Sequence, residues 1–395
     1  PAGWKRGFVE GRYHMKHVRE LGEKDRKAQL ELICEGFPWN TPEAMKERFD
    51  LLAAHSDSFG SFEDDVLASQ IISTPYTIDF YGTKYPMAGI GFVATSHNYQ
   101  HQHRIDDLMS YIFEKLHKDG TILSYLAPFS YRFYRRFGYE TIFDMLDFAI
   151  LRTDLPADRS TFSFERMDWD AAKDIVHKIY EKTKNLDHGM MIREPWWEEY
   201  KFHLRKPYEF MICYDRDTPI GYMAFLRNEK ELALFEIEGS DDALKAMIGR
   251  LREEDIDRMT YTCTPQQNRL YELLEDRSKD SFVMIRQGMM ARIVDVAAFL
   301  EQYPFAKKAE FALEILEDQY APWNAGIYEV RHTKEMTKVK KVFATSLPCA
   351  KMDVQALVRL FFGNMDPKGI VADEKVWKIL RKCLRQDVVN FSDYF

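Results

Sequence analysis

The sequence predicts an α/β (α+β) chain of three units, built from mixed sheets with helices packed on them. Three observations carry this. Residues 88–140 read as strand, polar turn, amphipathic helix, strand and aromatic turn. The same broad order returns between positions 162 and 251. Hydrophobic residues at 46% and aromatics at 14% over 395 positions supply more than one core. The net charge of −8 argues against nucleic acid or an acidic membrane as the main partner. Cys34, Cys213, Cys263, Cys349 and Cys383 lie far apart and form no CxxC, the pattern of reduced thiols in a cytoplasmic protein. No apolar run reaches membrane-spanning length, and no signal peptide is visible.

Residues 1–14 are polar and patternless, and His14-Met15 has the look of a cloning junction. A tag or disordered segment is expected there, with the fold starting near Met15. Residues 17–21 read as a strand and 23–35 as a helix, which Gly36-Phe37-Pro38-Trp39-Asn40 breaks. Thr41-Pro42 supplies a capping hydroxyl followed by a first-turn proline. Strands are expected at 66–72 and 76–81, joined around Pro75. The strand at 88–95 is apolar without alternation, as in a strand buried on both faces. After the turn 96–104, Ile105, Leu108, Met109, Ile112 and Leu116 fall at helical spacing, and Gly120 marks a stop. A strand leading into a helix N-terminus is a natural anion site.

After a strand at 143–150 and a polar linker at 152–160, a second unit repeats the order through strands at 209–214, 220–226 and 231–237 and a helix beyond. Its turn into that helix is Glu238-Gly239-Ser240-Asp241-Asp242; two carboxylates suit the helix dipole but repel phosphate, so this copy reads as scaffold. A third unit opens near Gln287, with a hairpin around Pro322-Trp323-Asn324-Ala325-Gly326 and a helix capped by Asp353. Expected boundaries are 15–152, 160–286 and 287–395. The apolar, aromatic end at Phe395 is expected to dock.

Phe92-Val93-Ala94-Thr95 before the polar turn, with Tyr134-Arg135-Arg136-Phe137-Gly138-Tyr139, resembles the GNAT-type N-acetyltransferases, and most closely the Eis (enhanced intracellular survival) family. The second unit without a cofactor loop, Met290-Ala291-Arg292-Ile293-Val294-Asp295-Val296 opening a third, and the aromatic terminus extend the likeness over residues 15–395. The resemblance implies two tandem GNAT-like domains, a C-terminal domain similar to sterol carrier protein, and a homo-oligomer, often a hexamer. It implies acetyl transfer from acetyl-CoA to an amine that is aminoglycoside-like, polyamine-like or a lysine. Acetyl-CoA would lie along Val93, Ala94 and Thr95, with its pyrophosphate on His101, Gln102, His103, Arg104, Ile105 and Asp106, and with Phe129 and Ser130 flanking it. Tyr134 matches the general acid, and the α-carboxylate of Phe395 the general base.

The chain departs from the GNAT loop Arg/Gln-x-x-Gly-x-Gly/Ala. Gln100 stands at the first position, but His103 replaces the first glycine, and Asp106 and Asp107 put negative charge in the first helical turn. His101, His103 and Arg104 can offer side-chain cations instead. The rival reading is therefore a non-catalytic binding or assembly protein that has lost acetyl-CoA. Phe37, Trp39 and Phe92 are candidates to line an acceptor pocket, although such aromatics commonly serve as core. His97, His101 and His103 crowd one turn, yet nothing fixes a fourth ligand, so no metal is expected. Lys334, Lys338, Lys340 and Lys341 read as a solvated surface.

Overall fold

A computed structural model describes residues 16–184, 188–265, 270–274, 278–363, 366–387 and 389–395. The expectation for 1–14 lies outside the described residues. In chain order, β1 (Lys16–Glu20), α1 (Arg26–Gly36), α2 (Pro42–Ala54), β2 (Asp57–Glu63), β3 (Val66–Phe80), β4 (Thr83–Thr95), α3 (Arg104–Lys118), β5 (Leu123–Leu126), α4 (Tyr131–Arg135) and β6 (Glu140–Thr141) make the first unit. The second holds β7 (Asp144–Leu151), β8 (Ser163–Met167), α5 (Trp169–Thr183), α6 (Pro195–Glu199), β9 (Glu209–Asp215), β10 (Thr218–Asn228), β11 (Glu231–Gly239), α7 (Asp241–Arg250), β12 (Arg258–Cys263), α8 (Leu270–Leu273) and β13 (Phe282–Gln287). Then come β14 (Met290–Ile293), α9 (Val296–Gln302), β15 (Ala309–Ile315), β16 (Gly326–His332), β17 (Thr337–Val342), β18 (Cys349–Met352), α10 (Val354–Phe361) and α11 (Glu374–Cys383).

The first sheet runs β1-β2-β3-β4-β5-β14-β6 and the second β13-β7-β12-β11-β10-β9-β8. Two strands thus leave the units that sequence order assigns them. The strand at 144–151, expected in the first unit, pairs between β12 and β13 in the second sheet. Strand β14, expected to open the third unit, instead slots between β5 and β6. The boundary between the first two sheets falls after Thr141 rather than at 152, because hydrogen bonding and not chain order decides which sheet a strand joins.

Thr41 caps α2 by accepting from the Ala44 amide, with Pro42 in the first turn. On α3, Leu108, Met109, Ile112 and Phe113 are fully buried against β2, β3 and β4. Each contributes about 1.5–3 kcal/mol by leaving water. The two strands expected around Pro75 are one, β3. Pro75 is exposed and pairs with Ala88 of β4, while β2 has already ended its pairing at Ser73, so the missing N–H falls on the free edge.

The third sheet runs β17-β16-β15-β18. Its core is continuous with the first unit's, as Phe80 and Tyr85 meet Phe299. Asp353 caps α10 through the Ala356 amide at 2.7 Å. The lysines at 338, 340 and 341 lie on the edge strand β17, where exposed ammonium groups discourage a further strand from pairing. Among the described residues, no helix is long and apolar enough to cross a membrane.

Candidate active site

Strand β4 carries the site because of two local irregularities. Its parallel pairing with β5 stops at Ile90↔Leu126, so residues 91–95 run on without that neighbour. On the other side, Ile72 pairs with Gly91 and Gln70 with Ala94, which leaves one extra residue in β4. Phe92 sits in this bulge at φ +46°, re-aiming the strand. The result is a wedge between β4 and β5 in which main-chain groups at the C-terminal end of β4 have no ladder partner on the β5 side. Val93, Ala94 and Thr95 line its mouth.

The mouth opens into a cavity of about 710 Å³, whose wall also includes His101, Gln102, His103, Arg104, Ile105, Asp106 and Phe129. These predicted residues therefore come together. Their side chains are arranged otherwise than expected, however. Arg104 is 3% exposed and turned inward. It donates to Gln102 Oε1 (3.0 and 2.8 Å), Ser61 Oγ (3.3 Å), the Phe62 carbonyl (3.1 Å) and Glu63, so its guanidinium is spent inside the fold. Its main-chain amide remains in the first turn of α3. The negative charge of Asp106 is compensated, since it accepts from Arg136 at 2.9 Å and from Tyr320 of the third domain at 2.8 Å. Burial, then that carboxylate, pushes the Tyr320 hydroxyl up to about 12. His101 and His103 adopt φ +62° and +56°, the left-handed region for which glycine is the ordinary residue. The loop thus keeps a glycine-type backbone path with imidazoles on it.

Tyr134 lies one residue before the end of α4, whose N-cap Ser130 accepts from the Phe133 amide at 3.3 Å. Ser130 thus serves as a cap and is not in the cavity wall; Phe133 and Arg136, which sequence reasoning missed, are. Both lie one helical turn or less from Tyr134, and Arg136 packs over the Phe133 ring at 4.4 Å. The Tyr134 ring is 2% exposed, between Phe129 (5.4 Å), Phe133 (5.1 Å) and Tyr139 (6.2 Å). Burial, then the neighbouring phenols Tyr139 and Tyr394, push its hydroxyl well above the ordinary tyrosine value. It stays protonated through the neutral range.

Phe395 docks on β4 from the face that carries α1 and α2. Its ring lies 5.2 Å from Tyr76 and 6.4 Å from Trp197. A Cβ on Gly89 would come within 2.8 Å of that ring, and one on Gly91 within 3.8 Å of its main-chain carbonyl carbon. Glycine at 89 is what lets the terminal ring reach the strand, while at 91 the contact would be an ordinary one. Phe37, Trp39 and Phe92 cluster on the same side, with Phe37 5.5 Å from Trp39 and 5.7 Å from Phe92, both edge-on. Trp39 is 77% exposed. That cannot be a core aromatic. His97 bonds Glu35 at 2.7 Å, and no group of three His, Cys, Asp or Glu able to hold a metal occurs among the described residues.

The second unit repeats the irregularities. Its parallel pair β11·β12 stops at Leu234↔Tyr261, and Phe235 is the extra residue against β10. Ser240 caps α7, and Asp241 and Asp242 occupy its first turn.

Residues 17–142 match the family model of a GNAT acetyltransferase domain, and 296–377 that of a sterol carrier protein domain. No curated protein sequence matched. Among solved structures, a protein of Enterococcus faecalis described as a probable N-acyltransferase is 30% identical, with 96% of this chain and 100% of that one covered at a TM-score of 0.90. A GCN5-related N-acetyltransferase of Anabaena variabilis (20% identity, 96% and 100% covered, TM-score 0.84) shares the fold. So does Eis1 of Mycobacterium abscessus (19%, 96% and 100%, TM-score 0.76). With the bulged β4, the wedge beside it and a relative matched over its whole length, the chain belongs to the GNAT N-acetyltransferases, in the Eis-like arrangement of tandem GNAT units and a sterol-carrier-protein-like domain.

Proposed function

We propose that the protein moves an acetyl group from acetyl-CoA to a primary amine, with Tyr134 as general acid and the carboxylate of Phe395 as general base. The wedge between β4 and β5 is the observation that carries this. Its unpaired main-chain groups fit the amides of a pantetheine arm, and the amides opening α3 fit a pyrophosphate. When bound, acetyl-CoA supplies the activated acetyl. Phe395 takes the proton from the incoming ammonium, which has no lone pair until it is lost, and the amine nitrogen then forms its bond to the acetyl carbon. As the carbon–sulfur bond breaks, Tyr134 passes its proton to the departing sulfur. The new amide nitrogen gives up its second proton to solvent, Phe395 releases the one it took, and the phenol recovers one, so that one proton leaves for each acetyl moved.

Phe37, Trp39 and Phe92 give the acceptor side aromatic rings that suit an ammonium. An aminoglycoside-like, polyamine-like or lysine-type acceptor fits that surface. The non-catalytic alternative rests on His103, Asp106 and Asp107. Against it stand the left-handed backbone at His103 and the pairing of Asp106 with Arg136. Calorimetric titration of the protein with acetyl-CoA alone tests the reading, with micromolar binding of one molecule per chain expected. No detectable binding overturns it in favour of the non-catalytic protein.

A further inference from the structure

We propose that the second unit acts as a latch on the C-terminal tail, in which Asp393, Arg193, Lys201 and Glu236 are positioning residues for the carboxyl end of Phe395. The proposal rests on the reading of Phe395 as the base. It explains a cluster that neither the acetyl-CoA wedge nor the aromatic surface uses.

The four side chains are between 0 and 5% exposed. Asp393 accepts from Arg193 Nε at 3.1 Å, from Lys201 Nζ at 2.9 Å and from the indole N–H of Trp197 at 3.0 Å. The other two guanidinium nitrogens of Arg193 donate to both oxygens of Glu236, at 2.8 and 2.7 Å, and its plane lies 3.6 Å over the Tyr180 ring. Lys201 and the Tyr222 hydroxyl complete the shell of Glu236. Two cations face two anions, so the box is neutral, and every fork of Arg193 is used. A buried ion network of this kind adds little to stability that well-packed apolar side chains would not. Fixing one geometry is its better-attested use.

What it fixes follows from the two sheets. Glu236 comes directly after the bulge of β11, and Gly91 directly before the bulge of β4, both just past the point where parallel pairing ends. Asp393 is tied to the first of these positions and Phe395 lies on the second. Two extended residues span about 7 Å, so an anchored Asp393 leaves the terminal carboxyl little freedom. Between them, Arg205 donates to the Tyr394 carbonyl at 2.7 Å. The copy that carries no phosphate loop has kept the bulged strand and uses it to hold the tail.

The test is Asp393→Asn in the full chain, which keeps the shape and removes the charge. Three readouts apply: hydrogen–deuterium exchange, acetyl-CoA calorimetry and acetyl transfer to spermidine. Exchange at residues 389–395 is expected to rise about tenfold or more while that across β10 stays as in the wild type. Acetyl-CoA affinity is expected to hold within about twofold as kcat falls about 100-fold, the effect of misplacing a reacting group by about 1 Å. Trp197→Phe, which removes one donor and no charge, is expected to show the same pattern more weakly and serves if the first variant does not fold. Unchanged tail exchange overturns the latch, as does a rise spread equally over β10. Unchanged kcat with a loosened tail overturns the positioning role. A wild type that binds no acetyl-CoA removes the acetyl-transfer reading, and exchange then decides the latch by itself.

Discussion

The two GNAT units share a backbone device and put it to different uses. In each, a parallel pair of strands separates after four registered residues and a bulge follows at once. In the first, the strand then runs to a left-handed turn and an open cavity of about 710 Å³. In the second, the strand runs to a serine cap and two carboxylates, and Glu236 just past its bulge enters a neutral box of four charged side chains. The cavity of about 600 Å³ beside Leu234, Phe235 and Tyr261 is walled by the tail residues Phe391, Asp393 and Tyr394. The difference lies in a few side chains and not in topology. A wedge in a sheet is a place to put something, and what occupies it is set by the residues at its mouth.

This contrast can be broken most severely at Tyr134. Tyr134→Phe is expected to lower kcat by about 10²–10⁴-fold, the usual worth of a general acid, with acetyl-CoA affinity unchanged. Equal turnover, measured by thiol release, would assign that ring to packing. Gly89→Ala comes next. Its methyl would sit 2.6 Å from Tyr76 and 2.8 Å from Phe395, so the terminal ring must move and kcat should drop about tenfold or more. A variant as active as the wild type would show that the docked position of Phe395 is not the working one. In the second unit, Ser240→Ala removes the hydroxyl that accepts from the Ala243 amide. It should cost about 1 kcal/mol of stability by denaturant titration and leave acetyl-CoA binding untouched. A change in binding would mean that the second helix N-terminus also meets the nucleotide. The smallest effect is expected from His103→Gly, which relieves a left-handed non-glycine residue and should raise stability by about 0.5–1 kcal/mol, with acetyl-CoA bound at least as tightly. Weaker binding would identify the imidazole as a phosphate ligand.

Much of this was legible from local chemistry. The spacing of Leu108, Met109, Ile112 and Leu116 gave α3 its buried face, Thr41-Pro42 and Asp353 marked helix starts, and the motif around Phe92–Thr95 located the wedge. Arg104 was misread because a charged residue opening a helix looks exposed. Its place four residues before Leu108, on the same face, was the available signal that it turns inward. The exchange of β7 and β14 was not legible, since a short apolar strand carries no mark of which sheet it will join. Nor was the tail's box: Arg193 and Asp393 are 200 positions apart, and no periodicity connects them.

The insertion of β14 has a consequence for how the chain reaches its native state. Strands β5 and β6 of the first sheet meet only through a strand some 150 residues further along, and Arg292 within that strand is fully buried, bonded to the Phe137 carbonyl and to Asp318 at 2.8 and 2.6 Å. An N-terminal fragment ending near Thr141 would present the open edge of β5 to any passing strand. Contacts of such long sequence separation make for slow assembly, and a partly synthesised chain has to wait for its C-terminal third with that edge exposed. The first sheet is thus begun well before the strand that closes it.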